Sequence, residues 1–328
     1  ATEASRPTPL VGGLVGIVLP GLVFATALLG PESAAANAAP WTVDIVLWVG
    51  LPLVCVLFGD VFRLINPYVT VVRLLDRRPS VDDADDADAT APAWIPAAFL
   101  FSFAWFLLAY YRPGSPRALA TFLAVYSAVA VGLGLHWGPR WLATGEAAGA
   151  VSAAVGRLSL RGARGPHTRS VAPLMIVWLG ATAFDVLTQS TFWIDVLGSS
   201  RGWGRTLLGT VGLVWMTAAV AGAYLLVVRV AERGQQARLG APLGVALVPL
   251  AAGWFIAHDL SLLLSEGQNA FILMSDPFGK GWNLFGTINH TINYAFLQSA
   301  WLRWTQLAIL AAGHLAALVV FHDVALRL

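Results

Sequence analysis

WLRWTQLAILAAGHLAALVVFHDVALRL, residues 301–328, decides the fold. It is an apolar run longer than the roughly 20 residues that a helix needs to cross a hydrocarbon core. His314 stands at its middle and His322-Asp323 near its end. A matching run, APLGVALVPLAAGWFIAHDLSLLL at 241–264, comes before it and carries His258 and Asp259 near its own end. Between them lies a stretch rich in Gly, Asn, Ser and Asp, which predicts an outer capping loop over 266–300. An ionisable side chain at bilayer depth costs at least about 2.5 kcal/mol on insertion scales, so each of these histidines and aspartates is a candidate functional residue.

The rest of the chain repeats the pattern. Of its 328 residues 57% are hydrophobic and only 12% charged, about half the charge of an ordinary soluble domain. Apolar runs at 9–29, 42–66, 94–111, 117–140, 171–196, 206–230, 242–265 and 302–326 predict an all-α, polytopic transmembrane helical bundle of about eight spans, one integral membrane domain over 1–328. Alternate connecting segments then hold fourteen and six basic residues. The positive-inside rule puts the richer side, and both termini, in the cytoplasm of a cell-membrane protein. No basic segment with a small-residue cleavage site precedes the first run, so no cleaved signal peptide is expected.

Several classes are excluded. The net charge of +2 offers no basic footprint for nucleic acid. A single cysteine, Cys55, inside an apolar run, reads as core packing and forms no thiolate cluster. No nucleophile elbow, Walker spacing or internal repeat is present. The DDADDAD run lies in an acidic cytoplasmic linker over 76–93 and lacks the Gly and terminal Glu of a calcium loop. Segment 141–165 is weakly apolar with arginines and predicts an interfacial helix. Trp residues at span ends, among them Trp41, Trp94, Trp141, Trp193 and Trp203, read as an interfacial belt in contact with the lipid bilayer.

Placing each polar residue by its distance from the middle of its span gives two layers. His258, His314 and Asp185 fall together at or just outside the bilayer centre. Asp259 points about 100° away from His258, and Gln189 sits one turn beyond Asp185. Both read as supporting groups or relay members. Nearer the inner surface come Asp60 and Arg63 on one helical face, with His136, His322 and Asp323 at similar depth. Asp60 and Arg63 read first as a structural ion pair.

Three chemistries suit the middle layer. Asp185, His258 and His314 can hold zinc, copper or iron, for hydrolysis of an apolar ester or, with copper or iron, for oxidative chemistry on an apolar substrate. His258 and His314 can instead ligate a haem b, as in the membrane subunit of a larger redox complex. An Asp–His chain can also relay protons, as in a proton-coupled transporter. Interhelical hydrogen bonding is the plain structural alternative, worth about 0.6 kcal/mol per bond.

GDVFRLINPYVTVVRLL at 59–75, GEAAGAVSAAVGRLS at 145–159, AFDVLTQSTFW at 183–193, IAHDLSLLLSEGQ at 256–268, SDPFGKGWNLFGT at 275–287 and AGHLAALVVFHDVAL at 312–326 carry a resemblance. Together they resemble the fenitrothion hydrolase-like polytopic membrane proteins of actinobacteria and related prokaryotes, in the same order over most of the chain. The chain departs from that pattern at Val324, which stands where the family has an arginine. The resemblance implies a membrane protein with patterned His and Asp positions, and a hydrolase acting on an organophosphate or similar apolar ester.

Overall fold

The computed structural model describes residues 10–75, 91–159, 171–233 and 239–326. Most of the acidic linker, the end of the expected interfacial helix and both chain ends lie outside these residues. The described residues are helical and irregular, with no strand. In chain order the helices are α1 (Leu10–Leu29), α2 (Ala38–Phe58), α3 (Phe62–Ile65), α4 (Pro67–Leu75) and α5 (Ile95–Ala109). They continue with α6 (Pro116–Trp137), α7 (Pro139–Gly145), α8 (Ala147–Gly156), α9 (Val171–Thr188) and α10 (Thr191–Leu197). The last three are α11 (Trp203–Ala231), α12 (Gly240–Leu273) and α13 (Ala300–Leu326). Seven of them, α1, α2, α6, α9, α11, α12 and α13, contain apolar segments long enough to cross a membrane, which makes this a multi-pass membrane protein by architecture. The remaining expected span, 94–111, is the shorter apolar helix α5.

Local chemistry explains where the helices stop. The expected 42–66 span ends at Phe58, because Gly59 takes φ +96°, a conformation that side chains with a Cβ rarely adopt. Asn66 then starts α4, its Oδ1 accepting from the backbone N–H of Tyr68 at 3.0 Å and of Val69 at 3.1 Å, with Pro67 at the first helical position. The expected 171–196 span breaks after Thr188, where the Ser190 hydroxyl accepts from the Trp193 N–H at 3.2 Å and begins α10. In the other direction, α12 runs on to Leu273, eight residues into the expected loop. Beyond it, Asp276 accepts from the N–H groups of Lys280 and Gly281, and Ser275 and Asn283 pin residues 284–288. We call this end of the bundle the cap end.

Segment 141–165 differs from the expected surface helix over its described part. Eight residues of α8 are buried, and Trp141 and Leu142 of α7 join them. The helix is almost all Ala, Gly and Val, so its neighbours can close on it from every side. A Cβ on Gly156 would lie 2.6 Å from the Asp60 backbone nitrogen. Trp141 and Trp193 are likewise core residues, 5% and 7% exposed, and leave the interfacial belt.

Three contacts set the arrangement around the candidate site. Gly244 lets α12 close on Ala172, so α9 and α12 pack in parallel. Gly180 and Gly212 admit Thr217 and Phe184, which holds α11 antiparallel to α9. Gly253 and Gly313 face each other backbone to backbone, so α12 and α13 pack antiparallel. Trp178 and Phe255, with ring centroids 4.9 Å apart, fill the core between α9 and α12. The rest of α13 turns outward, with Leu307, Leu315, Leu318 and Val319 exposed as a lipid-facing helix requires.

Candidate functional site

The parallel register of α9 and α12 carries through to the polar residues. Ala172 meets Gly244, and thirteen and fourteen residues further on Asp185 meets His258. Asp185 Oδ2 and His258 Nε2 are 3.0 Å apart. Asp259 joins them. One ligand atom from each of Asp185, His258 and Asp259 lies within 4.8 Å of the other two. Successive side chains on a helix diverge by about 100°, but α9 lies in the angle between them, so both reach the same aspartate. Asp259 is 6% exposed and accepts no hydrogen bond among the described residues. The side chains of His258 and Asp185 keep 21% and 28% of their surface, which leaves the cluster open on one side. Asp259, expected in a supporting role, is therefore a member of the cluster.

His314 is not in it. The crossing at Gly253 and Gly313 fixes the antiparallel register, and Gln306 repeats it by donating to the Ala257 carbonyl at 2.9 Å and to the Ser261 hydroxyl at 3.0 Å. His258 is then level with Ala308, and His314 lies six residues, about 9 Å, further along the axis. Its ring is exposed, and Nδ1 sits 2.8 Å from the Leu310 carbonyl. A carbonyl only accepts, so Nδ1 carries the hydrogen. Of the expected joint site of Asp185, His258 and His314, the structure brings Asp185 and His258 together and leaves His314 apart on α13. Span midpoints misled because α12 overshoots the bundle at the cap end, so its middle is not level with the middle of α13.

The other expected residues also fall outside the cluster. Gln189 is exposed just past the end of α9. His322 and Asp323 are exposed on the last turns of α13. His136 is exposed, its ring 5.1 Å from that of Trp137. Asp60 Oδ1 accepts the backbone N–H of Arg63 at 3.1 Å. Burial raises the Asp60 pKa, while that hydrogen bond and the charges of Arg63 and Arg157 oppose the rise.

Two buried carboxylates were not singled out from the sequence. Asp44 lies in the π-helical middle of α2, and its Oδ1 is buried with no partner among the described residues. It stands inside an apolar run, the signal that marked the others. Glu146 is wholly buried between α7 and α8, outside the seven long helices. Its Oε1 accepts from Gly149 N–H at 2.5 Å, and Oε2 from Ala148 N–H at 2.8 Å and the Tyr126 hydroxyl at 3.0 Å. Tyr126 in turn accepts from Ala147 N–H at 3.1 Å. Glu146 thus closes the N-terminus of α8.

Burial outweighs these bonds and lifts the Glu146 pKa from 4.5 to about 6, with the Asp60 charge adding to the rise. The folded state then holds this proton more tightly than the unfolded chain. Glu146 contributes stability below pH 4.5 that is lost as the pH rises to about 6, a difference of about 2 kcal/mol. Thermal unfolding in nanodiscs should show stability falling across that window, and Glu146→Gln should flatten the fall. An unchanged slope in the variant would assign the pH dependence to other groups.

Comparison of the chain with protein-family profiles, with curated proteins and with solved structures finds no match.

Proposed function

We propose that this membrane protein binds a divalent transition metal at Asp185, His258 and Asp259. The observation that carries the reading is the pairing of two carboxylates with an imidazole inside 4.8 Å, one carboxylate buried and without a hydrogen bond among the described residues. Two negative charges so close, one of them buried, repel each other, and a cation relieves that repulsion. One nitrogen and two carboxylate donors suit zinc or iron better than copper. A metal there would supply Lewis acidity, activating water or polarising an ester oxygen. That chemistry agrees with the hydrolysis of an apolar ester that the family resemblance implies. With the C-terminus cytoplasmic, the cap end and with it the cluster lie toward the outer face.

A proton relay is the second reading, favoured by the direct 3.0 Å contact between His258 and Asp185. Metal titration separates the two. Purified protein in nanodiscs, stripped with chelator, should take up one equivalent of zinc, and Asp259→Asn should weaken uptake by at least about tenfold. Wild-type protein that takes up no zinc would leave the relay.

A further inference from the structure

At the cap end, the last turns of α12 and residues His290 and Thr291 border an open cleft of about 390 Å³. Leu263, Phe271 and Ile272 form one wall, and Gly267 opens the space between them. A Cβ on Gly267 would touch nothing closer than 3.8 Å, where it meets Ile45 and Leu263. The opposite wall is fixed in place. Gln268 donates to the Asn293 carbonyl at 3.2 Å and accepts the Asn293 N–H at 3.0 Å, and the Tyr294 hydroxyl donates to Glu266 at 3.1 Å. His290 is exposed, and its ring makes no hydrogen bond among the described residues.

We propose that this cleft binds a small, uncharged, mainly apolar molecule with a hydrogen-bond acceptor, such as an aromatic ester, and that it is the approach to the Asp185–His258–Asp259 cluster. Among the described residues no Asp, Glu, Lys or Arg lines the cleft, so a charged ligand would lose its hydration without gaining a partner there. The volume lies in the range of small-ligand pockets, about 300–1,000 Å³. The His290 ring supplies one N–H for an acceptor. Leu263 stands one turn from Asp259 on the same face of α12, and Gly267 one turn beyond, so the cleft opens on the face that carries the buried carboxylate. The approach role rests on the metal reading of the cluster. The binding role does not.

Methyl 4-fluorobenzoate is the probe, followed by fluorine NMR line broadening with the full chain in nanodiscs and empty nanodiscs as the lipid control. Wild-type protein should bind it saturably above the control. Gly267→Phe, which fills the space without backbone collision, should weaken binding by at least about tenfold, as should Ile272→Trp if the first variant fails to fold. Asp259→Asn should bind the probe as wild type does even where zinc uptake is lost, so failure of the metal reading leaves the cleft testable. Absence of saturable binding, or equal binding by wild type and both filled variants, would overturn the proposal.

Discussion

His258→Ala should weaken metal binding by at least about 100-fold, while His314→Ala leaves it unchanged. His258 is the cluster's only nitrogen donor, and the antiparallel register of α12 and α13 sets His314 about 9 Å away along the axis. Without the imidazole, a metal would keep only the carboxylates of Asp185 and Asp259 from this cluster. Folding should suffer little, because Asp185 keeps 28% of its side-chain surface and lies within the last turn of α9. Chelator competition reads the affinity, and a thermal melt shows whether the fold survives. Equal losses in both variants would mean that the two histidines act together after all, and the proposed cluster would be wrong.

Gly313→Leu should detach α13 from the bundle. A Cβ there would lie 2.8 Å from the Gly253 Cα and 2.8 Å from the Pro249 carbonyl oxygen. Both are backbone atoms of α12 and cannot rotate aside, so the helices must separate. Overpacking of this kind costs about 1–3 kcal/mol, occasionally more. The cost is concentrated because, among the described residues, α13 packs chiefly on α12. Gly222→Leu, on α11, is the control, since nothing stands within 4 Å of that position. A short bis-maleimide crosslink between Gln306→Cys and Ser261→Cys, at positions whose side chains meet at 3.0 Å, reads the separation. Efficient cross-linking in the Gly313→Leu background would show that the crossing tolerates a side chain.

Hydropathy alone marked the seven helices long enough to cross a membrane, because burying about 20 apolar residues in lipid is a property of each segment by itself; the eighth expected run, 94–111, folds as a shorter helix. It also picked out Asp185, His258 and Asp259, since an ionisable group is conspicuous in an apolar run wherever the run packs. Local turn chemistry was partly legible. Asn66-Pro67 was an evident break, whereas Gly59 and Ser190 end helices inside runs that hydropathy reads as continuous. What the sequence left open was which polar residues meet. That depends on how far each helix slides against its neighbours, and the slide is fixed where two backbones touch. Gly244 against Ala172 brings Asp185 to His258 and turns Asp259 inward, and Gly253 against Gly313 carries His314 out of reach. These contacts join residues about 60–70 positions apart in the chain. Their energies depend on shape at a few glycines, which no local periodicity records.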